Sequence, residues 1–132
     1  MKKVAEYTRP EGSVEFFEDM DKNIFLAQPH GVINPELIKE DLAHARRFSD
    51  KVEGPWFYVT NTEDLDLANP LNLLYLKEVK KLKKLEKIVV YAPGFLNRML
   101  LRMASFIIQP DRILKHKNDL AKFLGTAHSI KA

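Results

Sequence analysis

The sequence predicts an α/β fold: a single mixed, largely parallel five-stranded sheet with helices packed on it, in the order ββαβαβαβα. Three observations carry that expectation. Short runs rich in β-branched and aromatic residues, such as 56–60 (WFYVT) and 88–92 (IVVYA), alternate with longer segments of helical periodicity. Two of the longer segments open on Asn-Pro, at Asn34-Pro35 and Asn69-Pro70. There Asn caps, and proline gives up only a donor that a first helical turn leaves unpaired. A pair of β-type runs precedes the alternation, so a hairpin leads into βα units, which implies a mixed sheet with its later strands parallel.

Each element follows in order. Residues 1–12 are polar, end on Pro10, Glu11 and Gly12, and read as a flexible arm with at most a short strand near 4–7. Residues 13–18 (SVEFFE) and 23–28 (NIFLAQ) flank DMDK and form the hairpin. The first helix starts at Asn34-Pro35, with Leu37, Ile38, Leu42, Ala45 and Phe48 as its inward stripe. Glu53-Gly54-Pro55 closes the connection to the third strand, 56–60. The second helix runs from Asn69-Pro70 to about Leu85, its core face made by Leu71, Leu74, Tyr75, Val79, Leu82 and Leu85. The fourth strand, 88–92, turns on Pro93-Gly94 into the most apolar helical stretch of the chain. On a helical wheel Phe95, Met99, Met103 and Phe106 cluster with Leu96, Leu100 and Ile107 as the expected core face, and Leu101 and Ile108 fall outside it. Pro110 stops that helix, 112–117 reads as a fifth strand, and Asn118 caps a short terminal helix bearing Leu120, Phe123 and Leu124. The domain therefore spans 13–124, and 125–132 is a frayed tail.

Composition narrows the classes of function. A chain of 132 residues, 45% hydrophobic and 30% charged, is one ordinary globular domain with a single core. It has no cysteine, which removes disulfides and thiolate chemistry. No run is long and apolar enough to span a membrane and the N-terminus has no signal-like stretch, so the expected location is cytoplasmic. A net charge of +3 is too small to argue for nucleic acid.

A set of residues carries a family resemblance. A hairpin ending at Gly31 leads to a Pro-started helix. The strand WFYVTN runs into an acidic loop and a second Pro-started helix, KIVVYAPG follows, and the chain closes on RILKHKNDLAKFL as strand, polar turn and short helix. Over about 13–124 this pattern is similar to the STAS superfamily, and in particular to the SpoIIAA-like proteins. The resemblance implies a small non-enzymatic α/β domain. Its best-known members are anti-sigma-factor antagonists switched by phosphorylation, and the more diffuse SpoIIAA-like branch resembles lipid-carrying CRAL-TRIO domains. Switch-type antagonists carry Asp-Ser-x-Gly before the second helix; this chain reads Asp66-Leu67-Ala68-Asn69-Pro70, with no hydroxyl to phosphorylate.

Thr60, Thr62 and Asp64 follow the carboxyl end of a predicted parallel strand, where ligands of open sheets sit, and form a polar rim or simple turn chemistry. No nucleophile with a positioned base accompanies these carboxylates, and His30 and His44 are distant in sequence. The four histidines show no metal-ligand spacing, and no phosphate-binding glycine motif is present, so neither metal nor cofactor is expected. Asp41 projects into the apolar arc of the first helix, either at its edge, reaching water, or buried with a shifted pKa. Lys77, Lys80, Lys81, Lys83 and Lys84 define a basic face opposite the core stripe of the second helix, with Glu78 toward the core side. That face is either merely solvated or a contact for a peripheral membrane or an acidic protein. With no aromatic residues among the lysines, nucleic acid is not an expected partner. The excess apolar surface of the third helix has three explanations: burial on two sides, a homodimer interface through Leu101 and Ile108, or an apolar ligand site or bilayer contact. The expected function is a non-enzymatic domain binding an apolar small molecule or lipid through Phe95, Met99, Leu101, Met103, Phe106 and Ile108. The alternative is a regulatory protein-interaction module.

Overall fold

The computed structural model describes residues 1–66, 75–96, 98–99, 101–102 and 110–125. In chain order the elements are β1 (Lys2–Arg9), β2 (Gly12–Asp19), β3 (Ile24–Gly31), α1 (Pro35–Lys51), β4 (Trp56–Asn61), β5 (Asp64–Leu65), α2 (Leu76–Val79) and β6 (Leu85–Tyr91). A helix follows, α3, whose described helical residues lie within 95–102. The chain then forms β7 (Arg112–Leu114) and α4 (Lys117–Leu124).

The strands form one mixed sheet in the order β1-β2-β3-β4-β6-β7, with the two-residue β5 beside the end of β3. β1–β2 and β2–β3 are antiparallel, whereas β3–β4, β3–β5, β4–β6 and β6–β7 are parallel. The five-stranded, largely parallel sheet expected from the sequence is thus corrected to a seven-stranded one, among the described residues, whose first three strands are an antiparallel meander. The extra strand is the stretch expected to be a flexible arm. β1 pairs with β2 from Lys2↔Glu18 to Arg9↔Gly12, with a bulge between Lys3 and Ala5. It anchors because Val4, Ala5 and Tyr7 pack on the core and the Tyr7 hydroxyl lies 2.9 Å from His44 Nε2. Charged residues at Lys2, Lys3, Glu6 and Arg9 suit an edge strand that must not recruit another chain.

Period-two alternation gives the sheet two different faces. On one, Phe16, Phe25, Trp56, Tyr58, Ile88 and Val90 pack against Leu37, Ala45 and Phe48 of α1, Leu76 and Val79 of α2, and Leu101 of α3. On the other, Phe17, Leu26, Val59, Val89 and Leu114 pack against Leu120 and Leu124 of α4.

The start of α1 agrees with its sequence signal. Asn34 is extended and its side chain accepts from the Leu37 amide at 2.9 Å, with Pro35 opening the helix. The second helix is shorter at its end than expected: α2 stops at Val79, Lys84 takes a left-handed φ of 63°, and Leu85 is already strand. Its expected start at Asn69-Pro70 lies outside the described residues. β7 ends at Leu114 rather than 117, and His116, not Asn118, is the residue before α4. α4 ends on Gly125, whose φ of 86° is the left-handed cap that glycine tolerates. The expected frayed tail after it lies outside the described residues.

Candidate functional site

The carboxyl ends of β4, β6 and β7 form one rim of the sheet, and α3 rises from it. Its first turn is set locally. The Arg98 amide donates to the Gly94 carbonyl at 3.0 Å, and the Arg98 guanidinium turns back to donate to the carbonyls of Ala92 and Pro93. That contact fixes the rotation of the helix. Positions 98 and 101 share a side of a helix, so pointing Arg98 at the strand end lays Leu101 over the sheet, where it is fully buried.

The expected core face is therefore reversed. Phe95 is 74% exposed, Leu96 60% and Met99 42%. These three fall within about one quarter to one third of the wheel, opposite Leu101. Leu101 is a core residue, which removes it from any ligand or dimer contact. Met103, Phe106 and Ile108, the other residues expected at the site, lie outside the described residues. Beside the outward face runs an open groove of about 300 Å³ lined by Phe95, Arg98, Met99, Arg102 and Lys115. Among the described residues its lining offers an aromatic ring, a thioether and three cations, and no carboxylate. A larger depression of about 530 Å³ lies at the opposite edge of the sheet, where Glu18, Asp19, Asp21, Lys2 and Lys51 mix both signs of charge.

The polar rim expected from Thr60, Thr62 and Asp64 does not exist as a unit. Thr60 and Thr62 are fully buried, and the Thr62 hydroxyl donates to the Tyr91 carbonyl at 2.8 Å. Asp64 alone is exposed, in β5, where its carboxylate lies 3.0 Å from His30 Nδ1. The parallel register His30↔Asp64 makes that meeting, and His30 Nε2 lies 2.7 Å from Glu15 on its other side. Sequence distance had separated this histidine from its carboxylates, and only strand register could have joined them. Burial pushes the Glu15 carboxyl up, but hydrogen bonds from Lys3 and His30 outweigh it and leave the group below its ordinary range. Both ring nitrogens of His30 face carboxylates, so among the described residues this cluster is a closed polar patch whose groups already have partners.

The basic face is also rearranged. Lys77, Lys80, Lys81 and Lys84 are all exposed, but only Lys77 lies within α2, and Lys81, Lys83 and Lys84 sit in the turn that follows. Glu78 is exposed rather than turned to the core, and pairs with Lys81 at 3.2 Å. Lys83 lies 3.9 Å from Asp50, and the Lys84 ammonium donates to the Val52 carbonyl. This turn precedes β6 and therefore sits at its amino end, opposite the rim that carries Phe95.

Asp41, which could have reached water at the helix edge, is instead buried at 3% exposure. The Tyr58 hydroxyl donates to both of its carboxyl oxygens at 2.8 Å, and the Tyr58 and Tyr75 oxygens are 3.4 Å apart. Burial dominates and raises the carboxyl to about 7, against the opposing pull of the two phenols. Thr60 Oγ1, in the same core, has no hydrogen-bond partner among the described residues. The sequence signal for this cluster was Asp41 itself, a carboxylate inside an apolar arc. Among the described residues no group of His, Cys, Asp and Glu side chains is arranged to hold a metal ion, and no helix is long and apolar enough to cross a membrane. Compared with known proteins, the chain matches no family model and no curated relative.

Proposed function

We propose that this protein is a non-enzymatic binding domain of the SpoIIAA-like, STAS type that takes an apolar ligand of the lipid class, bearing an acidic head group, beside α3. One observation carries the reading: Phe95, Leu96 and Met99 stand out in solvent while the adjoining groove, among the described residues, is lined by three cations and no acid. Apolar side chains receive the chain of such a ligand, and guanidinium and ammonium groups receive its head. Arg98 is already committed to the strand-end carbonyls, and Lys115, exposed at the mouth of the groove, is the head-group contact. The absence of a serine or threonine in the stretch 63–70 argues against a phosphorylation switch there.

Native mass spectrometry of the purified protein, repeated under denaturing conditions, tests this reading. An added mass in the lipid range that is lost on denaturation is the expected result, together with binding of a fluorescent fatty acid that Phe95→Asp weakens about tenfold or more. No added mass and no probe binding would remove it. The alternative, a protein-interaction module, uses the same outward face. A homodimer that separates on Phe95→Asp would favour it, whereas substitution of Leu101 would test only the core.

A further inference from the structure

We propose that the occupant of this face is an anionic bilayer surface, with Phe95, Leu96 and Met99 entering the boundary between head groups and acyl chains. The inference rests on reading the α3 face as the binding site, and names its partner. Three features of the molecule argue for a surface rather than an enclosed ligand. The apolar side chains project outward instead of lining a closed cavity; at 74%, 60% and 42% exposure they stand as a ridge. The ridge is flanked by Lys115, beside the groove that Arg98 and Arg102 also line, which places an exposed cation at head-group level when the ridge is inserted. Charge is also divided along the rim. Glu63 follows β4, while Lys115 follows β7 at the far side, next to α3. A negative surface would therefore draw the β6–β7 side down and push the β4–β5 side away, which orients the domain. Such an arrangement complements the head groups of an anionic phospholipid surface.

Co-sedimentation of the full chain with vesicles tests the proposal, using phosphatidylcholine alone and phosphatidylcholine mixed with phosphatidylglycerol. Partitioning onto the anionic vesicles is expected to exceed that onto neutral ones by roughly tenfold to a hundredfold, and to fall with added salt. Phe95→Ser should lower it about tenfold and Lys115→Gln about fivefold. Lys83→Gln, at the other end of the sheet, should leave it unchanged. A Phe95→Trp variant should show blue-shifted emission on anionic vesicles only. All of these positions are exposed, so the variants test contact rather than folding. Binding of a monomeric fatty-acid probe without vesicle binding would overturn the surface proposal and leave the ligand site standing. Loss of both would remove both. Vesicle binding indifferent to Phe95→Ser and Lys115→Gln, or a dimer that Phe95→Ser dissolves, would also overturn it.

Discussion

Asp41 is the buried carboxyl that burial carries well above its ordinary range. Its folded-state pKa of about 7 lies above the ordinary 3.8, so between those values the folded chain binds a proton that the unfolded chain has released. Stability then falls as pH rises from about 4 to about 7 and levels off above, where a carboxylate is held in the core with phenols as its described partners. The difference corresponds to about 4 kcal/mol, to order of magnitude. Other carboxylates have the opposite sign: Glu15 sits below its ordinary range and loses its contribution as pH falls. Comparison with Asp41→Asn isolates the effect of that proton, because asparagine keeps an acceptor for Tyr58 and never ionises. Urea unfolding across this range is expected to show the variant gaining on the wild type as pH increases; parallel curves would mean that Asp41 is ionised throughout or reaches water.

At the scale of elements, α3 shows what a helical wheel can and cannot decide. Leu101→Ala removes a fully buried side chain and should cost about 2–5 kcal/mol in chemical denaturation, while Phe95→Ser should cost little. The reverse ranking would restore the face predicted from periodicity. That prediction failed because this helix is apolar on nearly all sides, so periodicity offers no unique core face, and the Arg98 contact with Ala92 and Pro93 chooses one. Where a signal is local, it was legible: Asn34-Pro35 specifies the start of α1 by capping alone. β1 was missed for the converse reason, since an edge strand with one half-covered face reads as polar. His30 with Asp64 needed a register between strands, which no window of sequence contains. A second element prediction concerns Gly12, where an added Cβ would stand 2.3 Å from the Val32 carbonyl oxygen and 2.5 Å from that of His30. Gly12→Ala must move backbone, and should lower the melting temperature by several degrees or more, while an unchanged transition would mean the β1–β2 turn adapts freely.

For the molecule as a whole, sheet order sets where stability resides. β4 lies between β3 and β6 and is covered by α1 and α2 on one face and α4 on the other, so Tyr58 and Val59 are both fully buried. Val89 and Val90 of β6 are buried in the same way. Among the described residues β1 and β7 each have a single neighbour, and β7 pairs through Arg112, Ile113 and Leu114. Opening an edge breaks one ladder and part of one face, whereas opening the centre requires two ladders and both cores. Amide exchange should therefore be slowest at Tyr58, Val59, Val89 and Val90, approaching the rate set by global unfolding, and faster by orders of magnitude in β1 and β7. The first turn of α3, held to the sheet by Leu101 and the Arg98 cap, should exchange on the fast side of that range. This leaves the face that bears Phe95 on a part of the fold that can adjust without disturbing the centre. Uniform protection across all strands would instead describe a single cooperative unit, and the rim would then have no freedom of its own.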